Sequence, residues 1–253
     1  MLVLISIGLY DERDMSIKAL ETARSCDLLF AEFYTTKLNT TVEKLEELIG
    51  KPIRLLSRQE LEERQETILN EAKIKKVGLL VGGDCLVATT HSSLVLEAKK
   101  QGISTHVVHS SSIISAVAET GLHLQKFGPY VTIPFLEKTK GLLPESVYRA
   151  IQANKNRGLH TLCLLDTDNR CMTVKEALSI LLQLEENLKE NVLSKDLKVI
   201  ACSKLGGGSL IEYDTVESLL EKDFETPSVI IIPGSLHFTE KEFISSLCSS
   251  EKR

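Results

Sequence analysis

The sequence predicts an α/β fold with a mostly parallel sheet covered on both faces. Short apolar runs of strand length alternate with amphipathic helical patterns through the first half of the chain. A strand–helix–strand period is what crossover helices joining parallel strands produce. The 253 residues, 43% of them hydrophobic, are enough for one large domain or two smaller ones with a real core.

The elements follow in order. Residues 2–7 read as the first strand and 16–26 as a helix, then DLLFAEF (27–33) as a second strand. Residues 40–49 are helical, with Val42, Leu45, Leu48 and Ile49 on one side and Thr40 with Glu43 as a capping box. Residues 53–56 form a short strand, 59–75 one charged amphipathic helix, 77–81 a strand, 91–100 a helix and 105–109 a strand. The second half changes character. Residues 121–144 are rich in glycine, proline and aromatics and show no clear helix. A helix over 145–156, the strand HTLCLLD (160–166) and a long helix over 173–188 follow. The stripe of Val174, Ala177, Leu178, Leu181, Leu184 and Leu188 on the long helix suits a core or a dimer face. Strands over 197–202 and 228–232 flank a Gly206-Gly207-Gly208 loop, and a helix over 240–247 closes the pattern. The turn Ser110-Ser111-Ser112 marks the expected boundary between domains 1–111 and 112–253.

Composition excludes several classes of function. The net charge is −5 with no long basic run, which argues against a nucleic-acid partner. No apolar run reaches the ~18 residues of a membrane span. The opening MLVLISIGLYDERD reads as a strand and not as a secretory leader. Six scattered cysteines (Cys26, Cys85, Cys163, Cys171, Cys202, Cys248) without a C-x-x-C pair read as reduced thiols of a cytoplasmic protein. His106 and His109 lie three apart on a strand and point to opposite faces, so no metal site is expected there.

The strand ends carry the chemistry of a small-ligand site. G-x-x-x-x-G-K-[ST] and G-x-G-x-x-G are both absent, which argues against a P-loop and an ordinary dinucleotide fingerprint. Yet Gly8-Leu9, Gly82-Gly83-Asp84, Ser110-Ser111-Ser112 and the triple glycine each follow a strand. Ligands of open parallel sheets bind at the carboxyl ends of strands. Glycines let backbone groups approach them. Asp84 either caps a helix or faces a ligand, and the serine triplet has the same two readings. Together the turns suit a small ligand with hydroxyls, an amino-acid part and an apolar body.

GLYDERD (8–14), AEFYT (31–35), GDCLVATTH (83–91), GLH with KFG (121–123, 126–128), RGLHTLCLLD (157–166) and PGSLH (233–237) together resemble the diphthine synthase family, in the family's order and along the whole chain. The Gly83-Asp84 pair is shared with the wider tetrapyrrole-methylase-like superfamily; GLYDERD and LVATTH are more specific. The resemblance implies a two-domain tetrapyrrole-methylase-like (class III methyltransferase) fold, with a mostly parallel N-terminal sheet and a mixed C-terminal sheet. It implies S-adenosyl-L-methionine in the cleft between the domains, and a homodimer. The substrate it implies is translation elongation factor 2, methylated on the amino nitrogen of a 3-amino-3-carboxypropyl arm carried by a modified histidine in diphthamide biosynthesis. The compact, archaeal-like length implies trimethylation. Carried over position by position, the cofactor contacts are Leu9, Asp84, Val87, Ser112, Ile113, Leu165, Leu205 and Ser228. Asp84 would accept from ribose hydroxyls or from the cofactor's ammonium group. Two departures stand out. Cys85 replaces the family's usual proline, which implies a looser loop around the same site and a thiol either alkylatable or structural. Ser228 stands where histidine is frequent.

The implied chemistry is an in-line displacement in which the cofactor supplies reactivity and the protein supplies position. The acceptor nitrogen resembles an α-amino group, with a pKa of about 7.7–8.0, so roughly a tenth to a fifth is neutral near pH 7. No strong base is required on that count, and no catalytic side chain is assigned. Tyr10, Phe33 and Tyr34 could face a growing trimethylammonium or could pack the core. Asp11, Glu12 and Asp14 could complement that charge or cap a helix. The alternatives are C-methylation of a tetrapyrrole precursor, against which GLYDERD and LVATTH speak, and a cofactor-binding protein without catalysis.

Overall fold

The computed structural model describes residues 1–167 and 170–248. It divides into two compact units, Met1–Ala116 and Val117–Arg253. The division falls just beyond the serine turn, because Ser112 bonds forward: its carbonyl accepts from the Ala116 amide at 2.9 Å. The short helix that follows the turn thereby stays with the first unit.

The first unit holds β1 (Leu2–Ser6), α1 (Ile17–Ser25), β2 (Leu28–Glu32), α2 (Val42–Ile49), β3 (Ile53–Leu55), α3 (Arg58–Glu62), α4 (Glu66–Ile74), β4 (Val77–Val81), α5 (His91–Lys100), β5 (Thr105–Val108) and α6 (Ile113–Ala116). Its five strands are all parallel, in the order β3-β2-β4-β1-β5. Alternate residues serve opposite faces. Leu2, Leu4, Phe30, Leu79 and Val81 pack with Ile68, Leu69 and Ala72 of α4 and Leu94 and Ala98 of α5. Val3, Ile5, Leu29, Ala31 and Leu80 pack with Ala19 and Ala23 of α1 and Leu45 and Ile49 of α2. That two-sided cover explains why the strands carry no polar alternation.

The expected helix over 59–75 is two helices. A capping box of Ser57 and Glu60 opens α3, and the run Glu62–Arg64–Glu66 offers no apolar side chain to hold a continuous helix against the sheet. The expected cap Thr40 is displaced by Thr41, whose hydroxyl accepts from the Lys44 amide at 3.4 Å.

The second unit holds β6 (Val131–Ile133), α7 (Glu145–Asn156), β7 (Thr161–Leu165), α8 (Val174–Leu188), β8 (Lys198–Ser203), β9 (Leu210–Thr215), α9 (Val216–Leu220), β10 (Ser228–Ile232) and α10 (Phe238–Cys248). Its sheet is mixed, in the order β6-β7-β10-β8-β9, with β6 parallel to β7 and the other pairs antiparallel. The α8 stripe is core: Val174, Ala177, Leu178, Leu181 and Leu184 are buried against Ile133, Cys163, Ala201 and Ile230, with Leu188 at the margin. β6, β9 and α9 are not among the elements that the sequence pattern predicts. β9 is an edge strand, exposed at Leu210 and half-buried from there on, so LIEYDT shows no apolar run. Its β-branched and aromatic residues were the available signal.

Candidate functional site

Three turns at the carboxyl ends of neighbouring strands β4, β1 and β5 are tied to one another. The Gly8 amide donates to the Gly83 carbonyl at 3.1 Å and the Gly83 amide to the Gly8 carbonyl at 2.7 Å. Gly8 sits at φ +109°, and a Cβ there would lie 2.4 Å from Asp14 Cβ, so no other residue fits. Gly83, at φ +66°, faces open space instead: a Cβ would meet nothing within 4 Å.

Asp84 follows at 6% exposure. Its Oδ1 accepts from the Leu86 amide at 3.0 Å, and its Oδ2 from His109 Nδ1 at 2.8 Å and the Ser110 amide at 3.3 Å. The cap reading fails, because α5 begins seven residues later with Thr90 at its N-cap. A carboxylate has about four acceptor positions, so roughly one remains free at the tip of the sheet's central strand. Ser110 Oγ donates to the Asp14 carbonyl at 3.3 Å and joins the third turn to the first.

Cys85 is tied into this loop by its backbone. Its amide donates to Ser6 Oγ at 3.0 Å, and its carbonyl accepts from Thr89 Oγ1 at 2.8 Å and stands 3.2 Å from His91 Nδ1. The thiol is fully buried, and burial pushes its pKa up to about 11. It is therefore neutral and inaccessible, which is the structural alternative. Cys26, Cys163, Cys171 and Cys202 are likewise free, and the side chain of Cys248 lies outside the described residues.

The motifs AEFYT and LVATTH meet beneath this loop. Glu32, fully buried, accepts from the Tyr34 and Thr35 amides at 3.0 Å each and from Thr35 Oγ1. His91 Nε2 lies 3.7 Å from its Oε1. These groups hold the loop from below. Phe33 and Tyr34 pack against the two cores, with Arg58 5.1 Å over the Tyr34 ring. Asp11 and Asp14 form a capping box on the single turn Glu12–Asp14, and Arg13 Nη2 lies 2.6 Å from Asp11. These side chains take the packing and capping alternatives.

Of the expected contact residues in the first unit, Leu9 and Val87 are half-buried beside the Gly8–Gly83 bridge and Asp84. Ser112 is 7% exposed, with its amide donating to Ser115 Oγ at 3.2 Å, and Ile113 opens α6. In the second unit, Leu165 ends β7, Ser228 opens β10 and Leu205 lies just past β8. The antiparallel register brings these three to one end of that sheet, through the pairs Val229↔Leu164 and Ser228↔Ser203. Ser228 Oγ is engaged, donating to the Glu225 carbonyl at 2.7 Å.

The opposite end of the second sheet gathers GLH, KFG, RGLH and PGSLH around a buried carboxylate. Glu240, fully buried, accepts from Lys126 Nζ at 2.6 Å, the His237 amide at 2.7 Å, the His123 amide at 2.8 Å and His160 Nε2 at 3.1 Å. Burial alone would raise its pKa, but these donors hold it at about 2. Burial pushes His160 below its usual value, and its Nδ1 accepts from the Gly234 amide at 2.9 Å, so the ring is neutral with its proton on Nε2. In the sequence these motifs carry the family resemblance but show no structural role. Among the described residues no group of three His, Cys, Asp or Glu side chains is placed to share a metal ion.

The family profile "Tetrapyrrole (Corrin/Porphyrin) Methylases" matches residues 1–209. The chain is 43% identical to the diphthine synthase of Methanocaldococcus jannaschii, across 99% of this chain and 100% of that one. It is 43% identical to the diphthine synthase of Methanococcus aeolicus, across 99% of each. A crystal structure of diphthine synthase superposes with a TM-score of 0.89 at 35% identity, covering 97% of this chain and 95% of that one.

Proposed function

The chain belongs to the tetrapyrrole methylase family, in its diphthine synthase branch, and on that premise we propose that this methyltransferase of diphthamide biosynthesis acts on translation elongation factor 2 with S-adenosyl-L-methionine. In this reading it trimethylates the amino nitrogen of the 3-amino-3-carboxypropyl arm. Leu9, Asp84, Val87, Ser112 and Ile113 of the first unit contact the cofactor, as do Leu165, Leu205 and Ser228 of the second. The working state is a cytoplasmic homodimer.

The observation that carries the reading is the Asp84 turn. A buried carboxylate with acceptor capacity to spare sits beside Gly83, whose missing side chain leaves the approach open. That chemistry fits a cofactor bearing hydroxyls and an ammonium group, since charged acceptors make the stronger hydrogen bonds. When bound, S-adenosylmethionine supplies a methyl group activated by sulfonium. The chain's own part is positional: the Gly8–Gly83 bridge fixes the floor, Asp84 holds a polar end, and Leu9 and Val87 exclude water from an apolar part. Alignment of reacting atoms near ~3–3.5 Å lowers such a barrier by several kcal/mol.

The test is transfer of labelled methyl groups to elongation factor 2 carrying the unmethylated arm. Label on the factor, with the arm's mass rising to the trimethylated form, is the expected result. Label on a porphyrin precursor, or cofactor binding without transfer, overturns it.

A further inference from the structure

Beyond cofactor contact, the first unit carries an Asp–His pair that the reaction as read so far does not use. We propose that His109 is the proton acceptor for the substrate's amino group. This rests on the amine-methylation reading above. Every round of N-methylation starts from a nitrogen held largely as an ammonium at neutral pH. An ammonium has no lone pair, so its proton must leave first.

His109 directly follows β5 and opens the serine turn, with its side chain 67% exposed and the Asp84 side chain beside it 8% exposed. The Asp84 carboxylate can only accept, so His109 Nδ1 donates in the 2.8 Å contact. That hydrogen bond fixes the tautomer: Nδ1 carries the proton and Nε2 the lone pair. Nε2 has no hydrogen-bond partner among the described residues, on a side chain that is 67% exposed. This is the carboxylate–imidazole arrangement that orients a general base in unrelated enzymes.

The neighbouring ionisable groups are already committed. Asp14 Oδ2 accepts from the Tyr10 amide at 2.6 Å and lies 3.4 Å from the Asp11 amide, and Asp11 pairs with Arg13. Glu32 is buried beneath the loop. Asp84 is the one ionisable side chain in direct contact with His109 among the described residues.

The step balances simply. An N–H bond of the ammonium breaks and its electron pair stays on the substrate nitrogen, while an N–H bond forms at His109 Nε2. The resulting imidazolium faces the Asp84 carboxylate, then returns its proton to water through its exposed edge.

The experiment is the pH profile of kcat/KM for wild type and His109→Asn on elongation factor 2. Asparagine keeps a donor for Asp84 but cannot take a proton. Loss of the base should leave only the neutral amine reactive. The variant's acidic limb should then move to the amine's own range, about 7.7–8.0, with about a tenfold loss at pH 7 that closes by pH 9. Calorimetry with S-adenosylhomocysteine should show affinity within about twofold of wild type, since a tenfold change would already require about 1.4 kcal/mol of lost contact. An unchanged profile, or a loss equal at every pH, overturns the proposal. Failure of wild type to methylate the factor at all would sink the parent reading instead.

Discussion

Each unit buries a carboxylate hydrogen-bonded to a histidine, and the two are built to opposite ends. Glu240 is fully buried and ringed by an ammonium, two amides and an imidazole N–H. Nothing about it is left open, and it ties the start of α10 to the loop before β6 and to the strand at β7. Asp84 has fewer donors, one of them an exposed imidazole, and lies beside a glycine facing open space. A satisfied buried carboxylate is a structural device, because any change in its partners strands a charge in low dielectric. A partly satisfied one at a strand tip keeps capacity for a ligand.

That contrast can be broken by substitution. Glu240→Ala should cost about 3–5 kcal/mol in chemical denaturation, because Lys126 then loses its buried partner. Acid should act on the same place. Glu240 is held far below its usual 4.5 and His160 below its usual 6.5. In both cases the unfolded chain binds more protons, so their contribution is present at neutral pH. It is lost as pH falls through 6.5 and on toward 2, and a Glu240→Gln variant should show a flatter acid slope in a pH series of melts.

Asp84→Asn should cost about 1–2 kcal/mol of stability, less than Glu240→Ala, because one of the donors to Asp84 loses its acceptor. It should weaken S-adenosylhomocysteine binding by about 10- to 100-fold in calorimetry, the worth of about 1.5–3 kcal/mol for a charged hydrogen bond. A large stability loss with unchanged affinity would reverse the roles assigned to the two carboxylates. Gly8→Ala should cost about 1–3 kcal/mol through backbone strain, and should weaken binding too because the Gly8–Gly83 bridge would shift. The smallest effect belongs to Cys85→Pro. It removes the amide that donates to Ser6 at 3.0 Å and should cost about 1 kcal/mol, readable as a small shift in denaturation midpoint.

Much of this was legible before any coordinates. β4, α5, α7 and β10 begin and end where periodicity places them, because each is an uninterrupted apolar run or a clean amphipathic stripe. The glycine and serine turns sit at the ends of β1, β4 and β5 where the sequence places them. In the sequence His109 stands out only by its spacing from His106. Its partner Asp84 lies 25 residues away, and a sequence shows no hydrogen bond across neighbouring strands. His91 and Glu32 were letters inside motifs for the same reason, as were His160 and Glu240, 80 residues apart.

What the sequence determined by itself is local: which segments bury apolar surface and with what period, and which turns only glycine can make. Those depend on side-chain volume and backbone sterics over a few residues. The tertiary structure decided which carboxylate is saturated and which is available, and which imidazole carries a free lone pair. Those depend on how many donors the folded chain brings within 3 Å or so of one oxygen. Residues distant along the chain settle that number.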